Sequence, residues 1–196
     1  MKNWLIRIAF FGLLIAVWET VVRLEIWPPY IFPSLSSVLR SVWDGFADGS
    51  YPLAIVISLR RLVIGYAISL LLGISLGVLI GRISMVQKTV GSAILGLQAL
   101  PSVCWLPLAL LWFGLSEKAI IFVVVMGALL SISLSTADGI HNTPPRFLQA
   151  AKTMGAAGLR LYTAVILPAA LPSIVSGMKL GWSFAWRSLM AGELLY

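Results

Sequence analysis

Cysteine is almost absent from this chain of 196 residues: Cys104 stands alone, inside an apolar run. A disulfide within the chain is therefore excluded, and so is a metal site built on several thiolates. Histidine is equally scarce. His141 is the single example, and with Asp138 nearby it makes one His–Asp neighbourhood in a loop, a pattern that is ordinarily solvated. An intramembrane enzyme would need paired acids, a ligand set or a nucleophile with its base. No catalytic residue, metal site or cofactor is expected. Charge is short as well. Asp, Glu, Lys and Arg make up 11% of the chain against 60% hydrophobic residues, and the mean hydropathy is +0.99. Those values place the chain among membrane proteins, where length is counted in spans of about 20 residues. Acids are the scarcer sign, 7 against 14 bases. The bases are scattered, with Arg60-Arg61 their only adjacent pair, so no nucleic-acid partner is expected and the charges are better tested against the positive-inside rule. No Gly-Lys-Ser or Gly-Lys-Thr follows the glycine-rich stretch, so the chain has no nucleotide site of its own.

The apolar runs give the architecture, an all-α polytopic helix bundle in the lipid membrane. Residues 4–22 form a first span. It ends in Trp18-Glu19 without a cleavage site of small residues, and so reads as a retained span rather than a signal peptide. A loop punctuated by Trp27, Pro28, Pro29 and Pro33 follows. Within it Val38, Leu39, Val42, Trp43 and Phe46 alternate with Ser37, Arg40, Ser41 and Asp44, which suits a helix in the membrane interface or a surface helix packed on the spans. Residues 53–80 form the second span. Gly65, Ser69, Gly73, Gly77 and Gly81 recur in it every four residues, a small-residue stripe that lets another helix approach closely. The third span, 90–112, is broken by Pro101 and Pro107, and irregular backbone at that depth is tolerated only where protein or a cavity covers it. A fourth span covers 119–134 and a fifth 171–196, where Ser173, Gly177, Gly181 and Ala185 make a second stripe. With a cytoplasmic N-terminus, Lys2, Arg7, Arg82, Lys88, Arg146, Lys152 and Arg160 fall inside. Arg23, Arg40 and Lys118 then fall outside, beside Glu25, Asp44, Asp48 and Glu117.

Between the last two spans lies the stretch PPRFLQAAKTMGAAGLRLYTAVILPAALP, from Pro144 to Pro172. Pro144 and Pro145 suit a helix start, where a missing N–H costs nothing. Phe147, Ala150, Ala151 and Met154 then fall on one apolar stripe. Gly155 is placed to end that helix in a left-handed turn, and a second short helical run is expected to end near Leu167-Pro168.

Gln149-Ala150-Ala151, Gly155 and Leu167-Pro168 resemble the EAA loop of permease subunits of bacterial ABC importers. Gln149 stands where glutamate is usual and Val165 where isoleucine is usual. Ser58-Leu59-Arg60-Arg61 with Gly65, Leu106-Pro107-Leu108 with Trp112-Phe113-Gly114, and Leu171-Pro172 with Gly177 and Glu193 are similar to the nitrate, sulfonate and taurine branch. The resemblance covers nearly the whole chain and implies a type I importer transmembrane domain, one permease domain over 1–196 with a cytoplasmic coupling loop at 136–170. Such proteins carry one more span after the position of Glu193, so the chain is expected to lack its last span. The implied coupling residues are Phe147, Gln149, Ala150, Ala151, Met154, Gly155, Leu167 and Pro168. The implied partners are cytoplasmic ATP-binding subunits that carry the hydrolysis, an extracytoplasmic substrate-binding protein and a second permease copy, as a homodimer. The implied location is the bacterial plasma (inner) membrane, multi-pass.

Arg60 and Arg61, near the outer end of the second span, and Arg187, in the fifth, are expected at similar depth. Glu19 is the acid expected to pair with one of them. Charges there are costly and face protein or water, and three arginines against one acid make a positive outer vestibule suited to a small anion such as nitrate, a sulfonate or taurine. The competing reading is an ion-gradient-driven secondary transporter subunit, which ordinarily shows inverted repeats and intramembrane acids.

Overall fold

The computed structural model describes residues 2–194. The chain divides into two compact units, Met1–Val56 and Ile57–Tyr196, with the boundary inside a long helix. The first unit opens with α1 (Lys2–Arg23), apolar on all sides as a span requires. Its C-terminal turn is tied to the following loop by aromatic side chains. Trp18 Nε1 donates to the Pro33 carbonyl at 3.0 Å, and the Phe32 ring sits 5.2 Å from Trp18 and 5.8 Å from Trp27. Helix α2 (Leu35–Ala47) starts where the Ser34 hydroxyl accepts from the Ser37 N–H at 3.2 Å, filling one of the bonds an N-terminus lacks. Leu39, Trp43 and Phe46 along it are exposed. The Asp48 carboxylate then accepts from the Ser50 N–H at 2.8 Å. That bond and one from the Ser50 side chain hold its carboxyl below the ordinary aspartate range. The same bond takes up the first N–H of α3 (Ser50–Arg82).

The second unit holds the rest of α3, then α4 (Ser84–Gln98), α5 (Ser102–Phe113), α6 (Glu117–His141), α7 (Pro145–Thr153) and α8 (Gly158–Glu193). Helix α6 is its axis. Four apolar clusters run along it, and α6 residues sit in every one. Ile120, Val124, Ala128 and Ile132 meet Leu62 of α3 and Ala185 and Leu189 of α8. Ala119 and Val123 meet Leu106 and Ala109 of α5. Leu130 and Ala137 meet Ile80 and Ile94. Ile140 meets Ile166, Ala170 and Ile174. The stripe Gly65, Gly73, Gly77, Gly81 faces α6 throughout, against Val124, Ile132, Thr136 and Ile140 in turn. From the other side Gly177 and Gly181 of α8 lie against Ser135 and Ile132. A methyl at Gly77 would lie 2.5 Å from the Ser133 carbonyl oxygen, which is backbone and cannot swing aside.

The breaks differ from the sequence reading in three places. The third apolar run is two helices, α4 and α5, set at 105°. Pro101 marks that bend, since the residue before a proline is driven out of the helical region. Pro107 makes no break, because it falls at the start of the α-helical part of α5, where its missing N–H is not needed. Helix α6 runs on past Leu134 to His141, so the first residues of the expected 136–170 loop are helical. The second run of the hairpin does not end at Leu167-Pro168 but continues as α8 through Pro168 and Pro172. A π-turn at Tyr162–Ile166 widens the helix just before Pro168 and makes room for its ring. Residues 195–196 of the expected fifth span lie outside the described residues.

The tight α3–α6 contact predicts unequal costs for the same small change. Gly77→Ala overpacks a backbone contact and should lose about 1–3 kcal/mol, read as a lower melting midpoint in detergent. Gly96→Ala meets nothing within 4 Å and should leave the midpoint unchanged or higher. Equal midpoints for the two variants would contradict this packing.

Candidate functional site

The hairpin between α6 and α8 is built by its ends. Pro144 and Pro145 open α7, and the helix closes in a paired turn around Gly155. The Gly155 N–H donates to the Lys152 carbonyl at 3.0 Å and the Ala156 N–H to the Ala151 carbonyl at 2.9 Å, the pattern of a left-handed helix stop. Gly155 has φ +82°, which a side chain tolerates poorly. The expected stripe splits between two directions. Ala151 is buried, and Leu148 packs on the cluster of Ile140, Ile166, Ala170 and Ile174, so Leu148 anchors the hairpin to α6 and α8 while Ala151 faces inward. Phe147, Gln149, Ala150 and Met154 are exposed, Met154 at 86%. Ala151 is thus not part of an outward face. Leu167 and Pro168 are also off that face, about 13–15 Å along α8 from its start at 1.5 Å per residue. A guanidinium–ring contact at 5.0 Å, Arg82 over Tyr162, joins the end of α3 to the start of α8.

Arg60 and Arg61 are not an unbalanced positive surface. Arg60 Nη2 lies 2.6 Å from Glu117 Oε1, Arg61 Nε 3.4 Å from the same oxygen, and Arg61 Nη1 3.2 Å from Glu193 Oε1. Ser58 donates its hydroxyl to both Glu193 oxygens at 2.7 and 2.9 Å. Two bases and two acids from α3, α6 and α8 close one neutral network at a common end of the three helices. Glu19, the partner expected from sequence, pairs instead with Arg23 one turn along α1, at 3.4 Å. Sequence reading missed Glu117 and Glu193 as the partners because both stand at helix ends, far from the arginines along the chain.

Arg187 stands apart from that network, about 9 Å deeper along α8 than Glu193. Among the described residues no carboxylate pairs with it, and its guanidinium lies 5.8 Å from the Phe184 ring centre. It lines a cavity of about 340 Å³ at the α4–α5 bend, with Gln98, Ser102, Gly127 and Ser131 among its neighbours. Gln98 Nε2 donates to Ser131 Oγ at 3.4 Å. Gly127 and Ser131 fall near the middle of the 25-residue α6, so this cavity lies near mid-length of the helices and opens at the surface beside Leu100 and Arg187, where broken backbone is sustained by a cavity. A further cation, Lys179, was not picked out from sequence. It is exposed on α8 two turns below Arg187, and its isolation within a long apolar run was the signal. His141 Nδ1 sits 2.9 Å from the Ala137 carbonyl of its own helix. Among the described residues no group of three His, Cys, Asp or Glu side chains is placed to hold a metal.

The long apolar helices around a single axis, the bent pair and the projecting hairpin agree with the comparisons. Residues 69–196 match the family model of the binding-protein-dependent transport system inner membrane component. The chain belongs to this family. It is an ABC importer permease, a multi-pass membrane protein of the same branch as its relatives. The Escherichia coli permease protein named for aliphatic sulfonates transport is 33% identical over 198 residues, covering 100% of this chain and 75% of its own length. The taurine transport system permease protein of Escherichia coli is 28% identical, over 97% of this chain and 71% of its own. The nitrate import permease protein of Leptolyngbya laminosa is 30% identical, over 81% and 60%.

The ion network of this permease predicts an order of stability. The Arg61 side chain is 13% exposed and bridges both acids, while that of Arg60 is 62% exposed. Solvent screens the outer pair and not the inner one. Arg61→Gln should therefore lower the thermal midpoint of the purified permease clearly more than Arg60→Gln. An equal or larger loss for Arg60→Gln would show that the network does not hold the helix ends together.

Proposed function

We propose that this permease is one half of the membrane channel of an ATP-driven importer for a small anion, paired with a second copy of itself. Cytoplasmic ATP-binding subunits carry the hydrolysis, and an extracytoplasmic binding protein delivers the substrate. The observation that carries the coupling role is the hairpin: Phe147, Gln149, Ala150 and Met154 face outward while Ala151 is buried and Leu148 ties the same helix to α6 and α8. A push on the exposed face is thereby passed to two spans, the lever that a two-state bundle needs. The anion reading is supported by Arg187, a cation that lines a cavity at mid-length of the helices without a carboxylate partner among the described residues, and by the sulfonate, taurine and nitrate named for the relatives. In this reading the N-terminus and the hairpin are cytoplasmic, the basic residues Arg82, Lys88, Arg146, Lys152 and Arg160 lie on that side, and the membrane is the bacterial inner membrane.

Three measurements check this. Gly155→Val forces a branched side chain into a left-handed turn, at a local cost on the order of 1–2 kcal/mol. In the reconstituted importer it should reduce uptake per ATP hydrolysed far more than it reduces the amount of assembled complex. A variant that couples normally would remove the hairpin from the mechanism. For sidedness, Leu115→Cys and Ala156→Cys in a Cys104→Ser background should be labelled from opposite faces, and labelling of both by an impermeant reagent outside the cell would reverse the topology. Uptake should stop on ATP depletion and survive an uncoupler. The opposite pattern would favour a gradient-driven transporter.

A further inference from the structure

Helix α8 carries a polar stripe that the coupling role does not use. Pro172, Ser176, Lys179, Ser183 and Arg187 fall within one quarter of the helix circumference at 100° per residue, and all are exposed. Lys179 has no hydrogen bond or ion pair among the described residues. It lies about 21 Å along the helix from Glu193 and about 31 Å from Gly158 at 1.5 Å per residue. Its stem is too short to reach either end, and a charge at that depth must face water or protein rather than lipid. Arg187 lies about 12 Å further along the same stripe. It lines the cavity at the α4–α5 bend and, with Trp182, Ser183 and Trp186, a shallow open patch on the exposed face of α8. The first is mostly apolar beside Arg187, with Leu100, Val103, Trp105, Leu130 and Phe184 in its wall.

We propose that the Lys179–Ser183–Arg187 stripe is the route of a small organic anion of the sulfonate class, its charge passing between the two cations and its apolar group resting in the cavity at the helix bend. This rests on the anion reading above and adds to it the path and the organic class. Two fixed cations on one face attract an anion along the route. A bare inorganic anion has no group for the apolar wall, whereas a short alkyl group fits it and is held by the hydrophobic effect. Ser183, between the cations, offers a hydroxyl to the passing oxygens.

The test uses the complete importer with its ATPase and binding protein, carrying Ser183→Cys and Cys104→Ser. Its thiol is exposed in turn to anionic 2-sulfonatoethyl and cationic 2-trimethylammonioethyl methanethiosulfonate. The anionic reagent, itself an organosulfonate, should react about tenfold faster or more, and the preference should vanish when Lys179→Gln and Arg187→Gln are added. In the otherwise unaltered importer, Lys179→Gln should cut butanesulfonate uptake about tenfold while ATP hydrolysis stimulated by the binding protein persists, and Lys179→Arg should restore uptake. Equal reagent rates, or a thiol inert to both, overturn the route even if the Gln variants fail to assemble, because that arm needs only Ser183→Cys. Uptake of nitrate but not butanesulfonate by the unaltered importer overturns the organic class and leaves the anion reading standing. Uptake of neither, with a cation taken up instead, overturns the anion reading itself.

Discussion

Everything in the larger unit depends on how closely backbone can approach backbone around α6. In a membrane, lipid tails compete with side chains for apolar contact, so helices are held by packing and by hydrogen bonds. Glycines at four-residue spacing on α3 and α8 remove the side chains that would keep those helices from α6. Helix α6 itself contributes Gly127 and Gly139, placed against Ser188 and Ser173 of α8. Ser69 of α3 is buried in the same seam, its hydroxyl donating to the Gly65 carbonyl at 2.7 Å and reaching the Val125 carbonyl at 3.3 Å. A helix gripped this way moves with its neighbours or not at all, which is the rigidity the proposed coupling role requires.

The charges are sorted by the same bundle. At one end, bases and acids from three helices cancel in a network with short contacts, a stabilising use of charge that leaves no field to steer a substrate. Deeper along α8, Lys179 and Arg187 make no ion pair among the described residues, and Arg187 lines the cavity at the broken helix. A cation at that depth has to face water or protein rather than lipid. Position relative to the acids, rather than the number of arginines, therefore separates the paired charges from the unpaired ones.

Much of this was legible in the sequence. The apolar runs located the long helices, the four-residue glycine spacing named the faces that meet α6, and Pro144, Pro145 and Gly155 bounded the hairpin helix. What pattern could not give was tertiary. Prolines look alike in sequence, yet Pro101 breaks a helix, Pro107 opens one and Pro168 is absorbed by a π-turn. Their effect depends on whether the displaced carbonyl has another partner. A stripe of four apolar residues on α7 looked like one face, but only packing shows that Ala151 points home while Phe147 and Met154 point away. Glu117 and Glu193 were hidden as partners because ion pairs between helix ends leave no local spacing to read, and Lys179 was overlooked because a single charge has no period.

The meeting point we propose for the ATPase and the permease is the exposed face of α7. It is tested most directly by a photoreactive amino acid at Met154 in the assembled importer, with the same probe at Leu115, in the turn before α6, as control. Irradiation should join Met154 to the ATP-binding subunit, with a yield that changes when ATP is bound, and should give no such adduct from Leu115. An ATPase adduct from Leu115, or none from Met154 in a complex that hydrolyses ATP and transports, would contradict the account.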